Sequence, residues 1–283
     1  MTFVVDTHTH AIAADTKRYP LAPVGGHQSE WSVKRPVSFE ALLAAMDAAE
    51  IDRAIVVQAS TVYGNDNSYV VDAVQAHPDR FSGVFSVDVL AADPIMQMQR
   101  WLDAGLSGLR LFTTGTTMPG QAGWLDDERS FPAWEYAQRH AIPVCLQMTA
   151  LGIPALLNML ARFPDIRVLL DHLARPDLAG GPPYAEAAPL FSLAAHPGVF
   201  LKLTNRTIRE ASRGASTPAA FFQRVLAEFG AARIAWGSNF PAAEGSLPEL
   251  LAEARDSLSM LPAEALAAIF GGTARTIYPA LAS

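Results

Sequence analysis

Short apolar stretches recur along this 283-residue chain, and they constrain its fold more than any other feature of the sequence. Each stretch is rich in Val, Ile and Leu, and each is followed by a loop and usually by a segment with helical periodicity. The stretches are continuously apolar, as is typical of parallel strands that are buried on both faces. We predict strands at Phe3–Asp6, Ala54–Gln58, Phe81–Val87, Gly108–Phe112, Val144–Met148, Val168–Asp171, Phe200–Leu203 and Ile234–Gly237.

Eight strand-then-helix units in a chain of this length predict an α/β fold, a TIM-type barrel formed by a single domain over residues 1–283. The alternative is an open, doubly wound sheet. No Gly-x-Gly-x-x-Gly follows a strand and no Walker motif is present, so nothing favours nucleotide binding. Ser38 is a predicted helix N-cap, and Pro262 is predicted to begin a helix that ends at Gly271-Gly272.

The composition restricts the partners and the compartment that we expect. Half of the residues are hydrophobic and the net charge is −7, with no basic run that would attract nucleic acid or an anionic membrane. No apolar stretch approaches the roughly 18 residues of a membrane span, and the N-terminus lacks the features of a signal peptide. The single cysteine, Cys145, rules out an internal disulfide, so we expect a cytoplasmic protein. The oligomeric state is left open.

Polar residues follow most of the predicted strands. His8 and His10 are two residues apart, so their side chains point to the same face, where two imidazoles can bind a divalent metal or polarise a carbonyl group. Burying so many polar groups is costly unless they share hydrogen bonds, a metal or a substrate. In such barrels the loops after the strands carry the chemistry. The strand-end candidates that we consider further are His8, His10, Ser60, Tyr63, Arg110, Gln147, His172, Arg206 and Asn239.

Three other polar residues at strand ends have structural interpretations. Asp88 is expected to cap the turn that follows it. Lys202 can pair with a carboxylate between strands, and Gln58 can satisfy backbone groups in the barrel interior. The long polar segment between His10 and Val37 is predicted to form a rim or lid over the site.

Several motifs, in order along the chain, resemble the amidohydrolase superfamily, of the amidohydrolase-2 type. The superfamily motifs are His8-Thr9-His10, Asp171-His172, the stretch WGSNFP at 236–241 and the stretch GTARTIY at 272–278. The stretches QAS at 58–60, GNDNS at 64–68, GLR at 108–110 and DHLARPD at 171–177 narrow the resemblance. They are similar to the lactonase branch that contains the 2-pyrone-4,6-dicarboxylate lactonases.

This resemblance implies a distorted (β/α)8 barrel that hydrolyses a lactone or a similar carbonyl compound. It implies that His8, His10 and His172 bind a metal or, as in the pyrone lactonases, work without one. It further implies that an Asp at the end of strand eight is the general base for the attacking water, and that Arg110 binds a substrate carboxylate. We assign His8, His10, His172 and Asn239 to catalysis. We assign Ser60, Tyr63, Arg110, Gln147 and Arg206 to substrate binding.

At strand eight the chain departs from the family pattern, because Asn239 stands where Asp is usual. An amide cannot take a proton from water, and loss of a general base typically costs about 10²–10⁴ in rate. Three interpretations are open: an engineered Asp→Asn replacement, a variant with another base, and a protein that binds ligand without turnover. We favour the variant, in which a neutral histidine of the cluster is the base.

A metal at this site would have His8, His10 and His172 as its good ligands, because strand five offers Gln147 instead of histidine. Three histidines can hold zinc with water in the fourth position. No carboxylate is evident beside them to neutralise the ion, so we expect a metal-independent site, with zinc or another divalent metal as the alternative.

The segment after strand four, residues 113–117, contains no second arginine. We therefore expect a neutral or monocarboxylated lactone, with Arg206 or Arg209 as a further anion contact and Tyr63 or Tyr19 closing the site. Two other functions are considered: a metal-dependent decarboxylase or hydratase on the same scaffold, and a binding protein without turnover.

Overall fold

The computed structural model describes residues 3–281, in which eight parallel strands form one sheet. Each strand pairs with the next one along the chain, as expected for a TIM barrel. The strands are β1 Val5–Thr9, β2 Arg53–Val57, β3 Phe81–Ser86, β4 Gly108–Phe112, β5 Val144–Gln147, β6 Val168–Asp171, β7 Val199–Thr204 and β8 Ile234–Gly237.

Strands β1 and β8 meet and nearly close the barrel. Thr9 bridges to Phe240, and the Asn239 N–H donates to the His8 carbonyl at 2.8 Å. Gly237 permits this approach, because a Cβ atom there would lie 2.7 Å from the Cβ atom of His8. The close contact fixes His8 against the start of the β8 loop.

Helices cover the outside of the barrel and follow most of the strands. They are α1 Glu30–Lys34, α2 Phe39–Ala48, α3 Ser60–Tyr63, α4 Ser68–Ala76, α5 Pro94–Asp103, α6 Phe131–Arg139, α7 Ile153–Arg162, α8 Ala188–Ser192, α9 Asn205–Glu210, α10 Pro218–Phe229, α11 Leu247–Ser257, α12 Ala263–Ala267 and α13 Thr273–Ile277. Within residues 3–281, no helix is both long enough and apolar enough to span a membrane.

One end of the barrel is filled by hydrophobic side chains. Val5, Ile55 and Leu169 contribute to this cluster, and the C-terminal segment adds Ile277 and Tyr278. These residues are fully buried, so this end offers no opening into the barrel. The polar residues therefore gather at the opposite end, where the strands lead into their following loops.

The predicted barrel is confirmed, and three of the eight strands have the predicted bounds. The first strand is longer than expected at its C-terminal end, and His8 lies inside it. The helix predicted from Pro262 is wrong in detail, because Pro262 is the N-cap of α12 and a π-helical turn follows at Ala268–Gly272. Ser38 is confirmed as an N-cap, since its side chain accepts from the Ala41 N–H.

Candidate active site

A cavity of about 140 Å³ opens at the C-terminal ends of the strands. An outer groove of about 360 Å³ shares His172, Arg175 and Arg206 with it. The inner cavity is lined by His10, Trp31, Ala59, Ser60, Thr61, Arg110, Phe112, Thr116, Gln147, His172, Arg175, Arg206, Asn239 and Ala242. A larger groove of about 1020 Å³ lies at the other end of the barrel, away from the predicted site residues.

His10 presents one ring nitrogen to this cavity. Its Nδ1 atom lies 2.8 Å from the Val57 carbonyl, which can only accept, so the proton is on Nδ1 and Nε2 is left as an acceptor. Trp31 of α1 stacks on the ring at a centroid distance of 5.3 Å. Burial, together with the charge of Arg110, lowers the pKa of His10 to about 3, so the imidazole is neutral at pH 7.

His172 and Arg175 follow β6 on an unusual turn. The four residues 172–175 all have positive φ, between 53° and 57°, although none is glycine. Left-handed backbone of this kind costs roughly 1–2 kcal/mol per residue, and such strain is concentrated at functional sites. The turn brings both side chains to the cavity, and the His172 Nδ1 atom lies 2.7 Å from the Thr204 hydroxyl.

His8 lies behind the two histidines that line the cavity. Its ring centroid is 4.9 Å from that of His10 and 5.2 Å from that of His172, and the side chain is fully buried. Burial lowers the pKa of His8 well below its usual value, and this effect exceeds the opposing influence of Asp171. The three imidazoles form one contiguous and neutral cluster.

A buried carboxylate accompanies the cluster. The Asp171 Oδ1 atom lies 3.6 Å from His8 Nδ1 and 2.9 Å from Lys202 Nζ, and its Oδ2 atom lies 3.8 Å from Arg110 Nε. Although burial raises the pKa of Asp171, its interactions with Lys202, His8 and Arg110 lower the pKa well below its usual range. The expectation that no carboxylate lies beside the histidines is therefore wrong. The predicted pairing of Lys202 with a carboxylate is confirmed.

Asp6 is a second buried carboxylate, on β1, and it has a structural role. Its Oδ1 atom accepts from the N–H groups of His8, at 3.0 Å, and Ser238, at 2.8 Å. It therefore ties β1 to the end of β8. Burial raises the pKa of Asp6 to about 6, despite these hydrogen bonds.

Arg110 extends from β4 into the cavity. Its guanidinium donates to the Gln58 carbonyl at 2.8 Å and to Gln147 Oε1, and it stacks over the Phe112 ring. Two of its five N–H groups are used in these hydrogen bonds, and Nε faces Asp171. The remaining N–H groups are free to bind an anion in the cavity.

Arg175 and Arg206 add positive charge next to Arg110. Burial, together with the charges of Arg206 and Arg110, lowers the pKa of Arg175 to about 10. Among the described residues that line the inner cavity, none is acidic. Because no carboxylate lines the inner cavity, the three guanidinium groups there favour an anionic ligand.

Asn239 reaches the cavity from the loop after β8. Its backbone is left-handed, with φ of 61°, a conformation that asparagine tolerates better than most residues. The backbone N–H donates to His8, so the side chain is held beside the histidine cluster. Its amide provides N–H donors at a position where a carboxylate would provide only acceptors.

The structure brings seven of the nine predicted site residues to the cavity lining, and places two of them elsewhere. His8 is buried behind the lining. The Tyr63 hydroxyl accepts from the Ala13 N–H at 2.8 Å, and the Tyr19 hydroxyl donates to Asp72; neither tyrosine lines the cavity. Arg209 pairs with Glu253 at 2.8 Å instead of reaching the cavity.

Two structural interpretations of strand-end residues are confirmed. Asp88 caps a turn, since its Oδ1 atom accepts from the Leu90 N–H at 3.0 Å. The Gln58 side chain donates to the carbonyls of Gly64 and Asp66. Both residues therefore have structural roles beside the site.

A family model described as amidohydrolase matches residues 5–280, which is almost the whole chain. The chain belongs to the amidohydrolase family. It is 27% identical to the L-fucono-1,5-lactonase of Burkholderia ambifaria over 290 residues, covering 98% of this chain and 96% of that protein. It is 26% identical to a 2-pyrone-4,6-dicarboxylate hydrolase of Comamonas testosteroni, covering 84% of this chain and 76% of that protein.

The fold is also that of solved amidohydrolases. An amidohydrolase from Burkholderia multivorans, with bound zinc, superposes with a TM-score of 0.76 at 21% identity. The match covers 98% of this chain and 99% of that protein. The two proteins therefore share their fold over nearly the whole length of both chains.

The charges around the histidines of this amidohydrolase do not fit a divalent metal ion. Asp171, the carboxylate next to His8, already lies close to Lys202 and Arg110, and a divalent ion bound there would face both cations. Asn239 supplies a neutral amide, so it adds no anionic ligand to the three histidines. In the part of the chain that the structure describes, no group of three His, Cys, Asp or Glu side chains is arranged to hold a metal.

No site role was predicted from the sequence for three residues of this amidohydrolase site: Trp31, Asp171 and Arg175. Asp171 and Arg175 belong to the motif DHLARPD, so the motif itself was the signal for both. Trp31 lies within the segment predicted to form a rim or lid, but no pattern in that segment singles it out.

Proposed function

We propose that this amidohydrolase opens the lactone ring of a small carboxylated substrate, using water activated by a neutral histidine and no metal ion. The observation that carries the proposal is the cavity itself, which combines uncharged imidazoles with three arginines. The names of the L-fucono-1,5-lactonase and 2-pyrone-4,6-dicarboxylate hydrolase relatives support a lactone as the substrate.

The arginines are proposed to hold the carboxylate. Arg110 lies at the base of the cavity, whereas Arg175 and Arg206 line both the inner cavity and the outer groove. A guanidinium binds a carboxylate with two parallel hydrogen bonds, which fixes orientation as well as position. Arg175 and Arg206 supply positive charge that residues 113–117 lack.

His10 is the proposed general base. Its Nδ1 proton is committed to the Val57 carbonyl, so Nε2 can accept a proton from water in the cavity. The low pKa of His10 in the free protein arises from burial and from Arg110. A bound carboxylate neutralises part of that positive charge and so raises the pKa of His10 towards a useful range.

The reaction proceeds by addition and ring opening. Water oxygen forms a bond to the lactone carbonyl carbon while its proton passes to His10 Nε2. The carbonyl oxygen becomes an oxyanion, which the Asn239 amide and the arginines stabilise. The ring C–O bond then breaks, the alkoxide takes the proton from His10, and a hydroxy acid is released.

The two alternatives, a metal-dependent decarboxylase or hydratase and a binding protein without turnover, have less support. A metal-dependent decarboxylase or hydratase needs an ion that the Lys202 and Arg110 charges oppose. A protein that only binds a ligand needs no general base, whereas His10 is held in the single tautomer that a base at Nε2 requires. Turnover of a lactone panel by metal-free protein separates the proposed function from both alternatives.

The test uses pairs of five- and six-membered lactones that differ only in a carboxylate or its uncharged amide, with chelator-treated protein. We expect hydrolysis of the carboxylated member of a pair, with the uncharged member hydrolysed at least tenfold less efficiently. Hydrolysis that depends on added zinc, or no hydrolysis of any lactone, would overturn the proposal.

Arg206→Ala tests the role of the outer arginines. We expect KM for the carboxylated lactone to rise about tenfold, with KM for its amide unchanged, because a charge-assisted contact is lost. Arg209→Ala is the matched control, since Arg209 lies on the same helix α9 but pairs with Glu253. Equal effects of the two substitutions would remove Arg206 from the binding site.

A further inference from the structure

Lys202 is a cation placed in the barrel interior. It lies on β7 between Leu201 and Leu203, and its side chain is fully buried. Burying an ammonium group costs several kcal/mol before its partners compensate. A leucine or methionine would fill the same space without that cost, so stability alone is a poor explanation for this lysine.

The contacts of Lys202 lead towards the histidine cluster. Its Nζ atom forms an ion pair with Asp171 Oδ1 at 2.9 Å and donates to Cys145 Sγ at 3.4 Å. Strand register places Lys202 and Asp171 side by side on neighbouring strands. The same carboxylate oxygen lies 3.6 Å from His8 Nδ1, so Asp171 stands between the lysine and the ring.

The carboxylate selects one tautomer of His8. An ionised Asp171 attracts an N–H group and repels a lone pair, so it favours the His8 tautomer with the proton on Nδ1. Nε2 is then an acceptor, as it is in His10. Because the His8 ring contacts both His10 and His172, its orientation affects the two imidazoles that line the cavity.

We propose that Lys202 is a positioning residue for the reaction: its ammonium group holds the Asp171 carboxylate in place, and Asp171 in turn fixes the tautomer and orientation of His8. The effect on catalysis rests on the proposed lactone hydrolysis. The effect on His8 is independent of any substrate.

The test compares Lys202→Met, Asp171→Asn and the double variant. Either single change leaves a buried charge without its partner, and is expected to lower the melting temperature. The double variant removes both charges and is expected to fold with a melting temperature close to that of the wild type. Its kcat for a carboxylated lactone is nevertheless expected to fall at least tenfold, with KM changed less than threefold.

Nitrogen-15 NMR of the histidine side chains provides a readout that needs no activity. In the wild-type protein the His8 shifts are expected to show the proton on Nδ1, and in the double variant a mixture of both tautomers. The His10 shifts serve as the internal control, because Val57 fixes that tautomer independently.

The outcomes separate the two proposals. A double variant with wild-type kcat and unchanged His8 shifts would overturn the positioning role and leave the ion pair purely structural. If no lactone is hydrolysed by the wild type, the proposed function fails, but the His8 shifts still decide whether Lys202 and Asp171 set the tautomer.

Discussion

Replacing His10 by Asn is expected to lower kcat for lactone hydrolysis by about 10²–10⁴-fold, the range typical for loss of a general base. The asparagine amide can still donate to the Val57 carbonyl, as the imidazole does. It has no nitrogen that can take a proton from water. The substitution therefore removes the proposed general base, while it retains a side chain that can donate a hydrogen bond to the Val57 carbonyl.

The measurement is steady-state kinetics on one carboxylated lactone. KM is expected to change little, because the arginines that hold the carboxylate are untouched. His27→Asn is the control, since His27 is exposed and lies in the same segment, between His10 and Val37, that carries Trp31. A His10→Asn variant with kcat within threefold of the wild type would show that another group activates the water.

Replacing Arg110 by Lys is expected to lower kcat/KM for carboxylated lactones by about 10²-fold or more. The ammonium group keeps the charge but cannot contact Gln58, Gln147 and a substrate carboxylate at once. Loss of a buried, charge-assisted contact costs roughly 2–5 kcal/mol. Because Arg110 also faces Asp171, both KM and kcat are expected to change.

Two controls accompany this variant. Arg100→Lys changes an exposed arginine on α5 and is expected to leave the kinetics unaltered. The uncharged amide of the same lactone should lose much less of its kcat/KM than the carboxylated form. Unchanged KM and kcat of Arg110→Lys for every carboxylated substrate would leave Arg110 as an internal ion-pair partner of Asp171 alone.

The barrel could be predicted from the sequence because parallel strands that are buried on both faces consist of continuous apolar stretches. Polar residues interrupt this pattern near the strand ends and, at Arg110, within a strand, which made Arg110 and Gln147 visible as site candidates. The lysine on β7 was also interpreted correctly as one half of an ion pair.

The remaining parts of the site depend on tertiary structure. Asp171 becomes a partner of Lys202 through the register of two strands, which the apolar pattern does not determine. The Arg175 side chain reaches the cavity because residues 172–175 adopt left-handed backbone conformations, which residues other than glycine disfavour. Trp31 reaches His10 from a segment whose path is set by packing.

Asn239, in the loop after β8, decides between the interpretations of this site. If His10 is the base and the Asn239 amide stabilises the oxyanion, then Asn239→Asp replaces a donor by a negative charge at the point where negative charge develops. The new carboxylate is expected to be ionised at neutral pH beside the arginines. It therefore opposes the reaction more than it assists it.

The direct measurement is kcat/KM for one carboxylated lactone, compared between the wild type and Asn239→Asp after chelator treatment. We expect the wild type to be active and the Asp variant to be equal to it or up to about tenfold less active. An inactive wild type together with a gain of roughly 10²-fold or more in the Asp variant would show that position 239 lacks its base, and would contradict catalysis by His10.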